Sequence, residues 1–244
     1  MATSEQTGSL SLVATPIGNL EDITLRAIRV LQEADVIYAE DTRRSRILLD
    51  HFEIKKKLIP YHIFNEHGKT PELIDRVLAG EKVVLAGEKV VLVSDAGMPC
   101  IADPGFLLMR SAVEAGIEPV IVPGVSALTF AVAASALPSD QFIFCGFLPV
   151  KSGRRGAALD AIAASGKTCV IFESPFRIEK LMNEIAEKMG PDTKISLTRE
   201  ATKVHEEILR GTVGEVLERT KGRSWKGECV LLVYADPDTE KEAD

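Results

Sequence analysis

Several acidic and basic side chains sit where an apolar run gives way to small or polar residues. Val90-Val91-Leu92-Val93 runs into Ser94-Asp95-Ala96-Gly97-Met98-Pro99. Small residues let a ligand approach the backbone, and the Asp95 carboxylate can accept bonds from a ligand amine or hydroxyl. Glu40-Asp41-Thr42-Arg43-Arg44 follows Val36-Ile37-Tyr38-Ala39 and sets two carboxylates beside guanidinium groups. A carboxylate can take a proton, and the planar fork of Arg43 suits phosphate. Arg199-Glu200-Ala201-Thr202-Lys203 repeats the combination. Glu200 is a second candidate base, Lys203 could act as one only with a depressed pKa, and Arg199 suits phosphate. Tyr61-His62 and Asn65-Glu66-His67 place two histidines and an amide in one stretch, with no third ligand at zinc spacing. No metal is expected. Each cluster alone also reads as a solvated, self-paired surface or a plain turn.

These residues need elements to hold them. Short β-branched runs near Leu10–Ala14, Val36–Ala39, Leu58–Tyr61, Val90–Val93 and Glu118–Val122 predict strands. Apolar residues at helical spacing from Ile23 to Ala34 predict a helix between the first two. Thr70-Pro71-Glu72 predicts the start of another, running to Leu78. Asp103-Pro104-Gly105 predicts a helix to about Ala115, with Asp103 as cap and Pro104 in the first turn. Alternating strands and helices imply a mostly parallel sheet. After Pro123-Gly124, a second set follows. It has a helix near 125–136, strands near 142–145 and 168–172, a helix at 176–189, paired strands near 194–198 and 204–209, a helix at 213–220 and a last strand at 228–234. The fold class expected is α/β, with two α/β domains at 10–122 and 123–235 and flexible tails at 1–9 and 236–244. In open α/β sheets ligands sit beyond the carboxyl ends of strands. The clusters fall at such ends in both halves, which predicts a cofactor cleft between the domains.

The chain has 244 residues, 45% of them hydrophobic, and a net charge of −7. A protein that coats polyanions would be basic, so a nucleic-acid substrate has to be met by local patches. Three basic segments qualify: Arg43-Arg44-x-Arg46, Lys55-Lys56-Lys57 and Lys151-x-x-Arg154-Arg155. The first and third are expected to touch RNA, and the second reads as a solvated face. Cys100, Cys145, Cys169 and Cys229 are isolated, as expected of free thiols in a reducing cytoplasm. No run of 18 apolar residues predicts a membrane span, and Met1 to Gly8 lacks an apolar signal core. Ala14-Thr15-Pro16-Ile17-Gly18-Asn19 is not a dinucleotide fingerprint. Ala79 to Leu85 reads AGEKVVL, and Ala86 to Leu92 repeats it. A seven-residue shift inside a strand would reverse every later side chain's face, so only one copy can be the strand that feeds Ser94. The other is expected as an exposed connection before it.

The motifs together resemble a known family. They are Thr15-Pro16-Ile17-Gly18-Asn19-Leu20, Ala39-Glu40-Asp41-Thr42-Arg43, Ser94-Asp95-Ala96-Gly97-x-Pro99, Asp103-Pro104-Gly105, Gly146-Phe147-Leu148-Pro149 and Lys226-Gly227-Glu228. The set is similar to the tetrapyrrole methylase superfamily, in particular its branch that methylates the ribose 2′-oxygen of a cytidine in small-subunit ribosomal RNA. The likeness runs from about Leu10 to Tyr234. It implies S-adenosylmethionine as methyl donor, a homodimer and a small ribosomal subunit RNA substrate. It further implies that Pro16 borders the cofactor and that Ser94, Asp95 and Ala96 hold its methionine part. Ser126 and Ala127 would hold more of it, and Glu173 would flank the adenosine. For the proton transfer the candidates are Asp41, Glu200 and Lys203. For RNA they are Arg43, Arg154, Arg155 and Arg199. Met98 stands where the family usually has threonine, and Phe64 where it usually has histidine. Two other functions are compatible with the residues: a methyltransferase acting on a tetrapyrrole or other small molecule, which needs an apolar acceptor site, and a non-catalytic RNA-binding ribosome-assembly module.

Overall fold

A computed structural model describes residues 8–78 and 87–236. The first AGEKVVL copy and most of both tails lie outside the described residues. The chain divides into two compact units, up to Ser126 and from Ala127.

The first unit begins with β1 (Ser9–Val13), α1 (Leu25–Glu33), β2 (Val36–Ala39), α2 (Thr42–His51) and β3 (Lys57–Pro60). It continues with α3 (Glu66–Leu78), β4 (Lys89–Val93), α4 (Phe106–Glu114) and β5 (Val120–Val122). The strands form one sheet in the order β3-β2-β4-β1-β5, and every neighbouring pair is parallel. Helices cover both faces, so successive strand residues enter opposite cores. Val90 and Leu92 pack with Leu10, Tyr38, Leu73 and Leu108. Val91 and Val93 pack with Val13, Ile37, Leu31 and Leu49. The second AGEKVVL copy therefore supplies the buried strand, paired Ser9 to Lys89 through Val13 to Val93.

The chain leaves β1 toward β2 and leaves β4 toward β5, in opposite directions across the sheet. The topological switch point thus lies between the carboxyl ends of β1 and β4, where open α/β sheets bind ligands.

The second unit contains α5 (Ala127–Ala134), β6 (Phe142–Phe147), α6 (Ser152–Ala163), β7 (Thr168–Glu173) and α7 (Ile178–Met189). Then come β8 (Lys194–Arg199), β9 (Glu207–Thr212), α8 (Val213–Arg219) and β10 (Cys229–Tyr234). Its sheet runs β6-β7-β10-β8-β9. Only the β6–β7 pair is parallel, with a bulge between Phe144 and Gly146; the others are antiparallel. One face packs on α6, α7 and α8 through Leu159, Leu181, Ile185 and Val216. The other carries Ala131 of α5 against Val170 and Leu232.

Three local expectations are corrected. The helix expected at Thr70 begins at Glu66 and holds Pro71 in its interior. In the turn before it, the Asn65 side chain accepts from the His62 N–H, while Thr70 is buried against the Tyr61 hydroxyl at 3.0 Å. Asp103 is not the cap of α4: Gly105, at φ +132°, holds that position with no side-chain cap bond. The strand expected at Val204–Leu209 lies at Glu207–Thr212. Glu200 and Thr202 take positive φ values of 53° and 64°, and the resulting loop is longer than a tight turn.

Candidate active site

The strand ends of the first unit meet at the switch point. Thr15 and Gly97 form a two-bond bridge, with N–O distances of 2.9 and 3.0 Å. The Thr15 hydroxyl donates to the Ser94 carbonyl at 3.2 Å, and the Ser94 hydroxyl donates to the Gly97 carbonyl at 3.1 Å. Gly97 has φ +83°, which a side chain would strain. On the other flank, a Cβ on Gly124 would come within 2.8 Å of the Ala14 Cβ. The loops that leave β1, β4 and β5 are therefore packed backbone to backbone. Pro16, Ser94, Asp95, Ala96 and the segment leading to Ser126 are brought together in this way. Cys100 at φ 73° and Ala102 at φ 64° add positive-φ residues to the β4 loop. Such strain persists where the surroundings enforce it, and it clusters at ligand sites.

The roles within this group differ from the expected ones. The Ser94 hydroxyl is buried and engaged by Gly97, so what Ser94 can present to a ligand is backbone. Asp95 ties two loops together: its Oδ1 accepts from the Asp41 N–H at 2.9 Å, and its Oδ2 lies 3.5 Å from Arg44 Nη1. Each oxygen keeps a further lone pair for a ligand.

The proposed bases are weak or locked. Asp41 caps α2 by accepting from the Arg43 N–H at 2.9 Å. Arg43 Nη2 also reaches it at 2.7 Å. Hydrogen bonds from the Arg43 side chain and then its backbone hold the Asp41 carboxyl down to about 2. Burial pushes the Glu200 carboxyl up, but Lys203 at 2.8 Å and the Glu228 N–H at 2.9 Å outweigh it, and the net shift is down. Burial pushes the Lys203 ammonium down, but its bonds to Glu200 and Glu228 prevail and raise it. Lys203 is thus held protonated, the opposite of what a base needs. A Cβ on Gly227 would run into the Glu200 side chain, so Glu200 packs tightly between its own loop and the start of β10. Glu200 and Lys203 lock that loop.

The arginines separate in the same way. Arg43 has its side chain 89% exposed, and Arg154 is exposed. Arg155, expected at RNA, has a side chain only 7% exposed that forms a fork on Glu184. Arg199 is likewise engaged, bonding Glu207 and the carbonyls of Lys226 and His205. Glu173 is buried and accepts from Arg177 Nε at 2.7 Å and from the Ser174 N–H. Ala127 opens α5 in the second unit.

Glu40, the neighbour of Asp41, is not among the expected bases. It is half-buried; burial first and the Asp95 charge second push its carboxyl above the usual carboxylate range. The signal was its place at the end of β2, but burial and the neighbouring charge depend on tertiary packing. Among the described residues, no group of three or more His, Cys, Asp or Glu could hold a metal.

This arrangement matches a known class. Residues 9–217 match the Tetrapyrrole (Corrin/Porphyrin) Methylases, and the chain belongs to that family. A solved diphthine synthase shares its fold at a TM-score of 0.73 and 18% identity, covering 93% of this chain and 89% of that one. A uroporphyrin-III-C-methyltransferase from Thermus thermophilus does so at 0.64 and 22%, covering 97% and 98%. Nearer in sequence are proteins named ribosomal RNA small subunit methyltransferase I. The one from Halalkalibacterium halodurans is 43% identical over 93% of this chain and 75% of its own length. The one from Thermotoga maritima is 42% identical over 93% and 98%.

Proposed function

We propose that this protein methylates the ribose 2′-oxygen of a cytidine in the 16S RNA of the small ribosomal subunit, using S-adenosylmethionine. The observation that carries the reading is the 43% identity, over nearly the whole chain, to a relative named for that RNA. The switch-point loops fit such a donor: Gly97 holds a φ of +83° that a side chain would strain, Gly124 lets its loop lie against Ala14 where a Cβ would come within 2.8 Å, and Asp95 offers a charged acceptor. S-adenosylmethionine supplies a methyl group activated on a sulfonium. The chain's own task is to align the acceptor oxygen in line with that group, since alignment supplies most of the acceleration. Pro16, Ser94, Asp95, Ala96, Ser126, Ala127 and Glu173 are the residues we assign to the cofactor, Ser94 through its backbone. Exposed Arg43 and Arg154 are assigned to RNA phosphate, which the net charge of −7 leaves to local side chains.

In this reading the enzyme acts in the cytoplasm as a homodimer. No helix among the described residues is long and apolar enough to cross a membrane. The direct test is transfer of labelled methyl from the cofactor to small ribosomal subunits lacking the modification, followed by mapping. Label at a cytidine 2′-oxygen is the expected result. Label on a tetrapyrrole but not on RNA, or cofactor binding with no transfer at all, would overturn it.

A further inference from the structure

The carboxyl ends of β2, β3 and β4 are adjacent in the first sheet, and they gather side chains that the cofactor assignment leaves unused. Glu40 follows β2. Ala39 pairs with Val93 in the sheet, which sets Glu40 beside the Asp95 loop, and the charges of Asp95, Arg44 and His62 act on its carboxyl. His62 follows β3; its Nδ1 is buried with no hydrogen-bond partner. Its ring meets the edge of Phe64 with 6.1 Å between centroids. Phe64 itself is 94% exposed. Arg44 stands in the first turn of α2 with its side chain 61% exposed, so several of its five donors face solvent. A bare aromatic ring, an exposed guanidinium and a half-buried carboxylate thus follow neighbouring strands at one edge of the sheet. Proteins recognise unpaired RNA with such parts, stacking bases on rings and guanidinium planes and bonding phosphate.

We propose that Glu40, Arg44, His62 and Phe64 form the acceptor-nucleotide site, in which Phe64 stacks an unpaired base, Arg44 holds phosphate and Glu40 takes the proton of the ribose hydroxyl. The proposal rests on the methyltransferase reading above. The acceptor oxygen bonds the methyl carbon as that carbon's bond to sulfur breaks, and the sulfonium becomes a neutral thioether. The hydroxyl proton passes to a Glu40 oxygen and then to water. Glu40 suits this step better than Asp41. Burial and Asp95 make its carboxylate the stronger base, and it is free of the arginine fork that ties Asp41. The Asp95 side chain holds the next residue in place, accepting from the Asp41 N–H at 2.9 Å. His62 props Phe64 at the rim.

The test uses the full chain, small ribosomal subunits lacking the modification and S-adenosylmethionine. Glu40→Gln keeps the shape and removes the charge. It should lower the single-turnover rate by about 10²-fold or more with cofactor affinity unchanged. Phe64→Ala should raise the subunit concentration needed for half-maximal rate about tenfold, with Phe64→Tyr restoring it. A parental rate in Glu40→Gln overturns the proton role. A loss of cofactor affinity in that variant moves Glu40 into the cofactor site and also overturns it. Equal half-saturation in Phe64→Ala and the parent removes the stacking role. If the parent protein transfers no methyl group to the subunits, the functional reading itself fails; a parent that is active beside unaffected variants refutes this site alone.

Discussion

Replacing Arg155 with alanine separates the two arginines of the Lys151–Arg155 segment, which look alike in sequence. Arg155 Nε and Nη2 each lie 2.6 Å from a Glu184 oxygen, and Nη1 lies 2.6 Å from the Val150 carbonyl and 3.3 Å from that of Pro149. The side chain thus joins α6 to α7 and to the loop after β6. Removing one partner of a buried pair costs about 3–5 kcal/mol, because the other charge is left without compensation. Glu184 keeps 23% of its side chain exposed, and water can partly replace the lost donors, so the lower end, about 3 kcal/mol, is expected. With a urea slope of about 1.5–2 kcal/mol per molar, the unfolding midpoint should fall by about 1.5–2 M. The chain's one tryptophan reports on this unit directly, because Trp225 is buried in the same core as Leu159 of α6 and Leu181 of α7. The pair also has a pH signature. Arg155 holds the Glu184 carboxyl below its ordinary value, so its stabilising contribution is present above the unfolded pKa and is lost as pH falls through the depressed one. Parental stability should drop more steeply than that of Arg155→Ala below about pH 4. Arg154→Ala should leave the midpoint alone and weaken RNA binding. Parental urea stability in Arg155→Ala, together with a loss of RNA affinity equal to that of Arg154→Ala, would refute this reasoning.

Gly124→Ala should weaken cofactor binding in calorimetry, because its Cβ would lie 2.8 Å from the Ala14 Cβ and push apart the loops after β1 and β5; unchanged affinity would detach the β5 loop from the site. Asp41→Asn, which keeps a good helix cap, should retain single-turnover methylation within a few-fold, since a carboxyl held at about 2 is a poor proton acceptor; a hundredfold loss would restore Asp41 as the base. Asp95→Ala should reduce cofactor affinity by removing a charged acceptor and releasing the Asp41 N–H and Arg44, and parental calorimetric affinity would end its assignment. Deleting residues 79–85 leaves the same seven letters to follow Leu78, so the unfolding midpoint and cofactor affinity should stay near parental; a loss of several kcal/mol in urea unfolding would place both copies in the core.

The strands and most of the helices were legible in the sequence because their residues repeat with the period of the backbone. Val36–Ala39 and Val90–Val93 are continuous apolar runs, as a parallel strand buried on both faces requires. The same pleat decided that one AGEKVVL copy alone could serve as the strand. Helix α6, with few large apolar residues among SGRRGAALDAIA, gave little periodic signal. The longer Glu200–Glu206 loop escaped because its length depends on Glu200 bonding a segment 28 residues away. The site divides along the same line. Its location at strand ends, its small-residue loops and its family were readable from residue types in order. Which charge is available for chemistry was not: Arg154 and Arg155, or Glu40 and Asp41, are adjacent and alike in composition. Arg155 became structural when α7 brought Glu184 under it, and the Glu40 carboxyl is raised by burial first and then by the Asp95 charge that β4 brings beside it. The pleat and the helical turn are local properties of the chain, written in each short stretch of sequence. Burial and pairing of charge depend on residues tens of positions apart, and only the packed tertiary structure decides them.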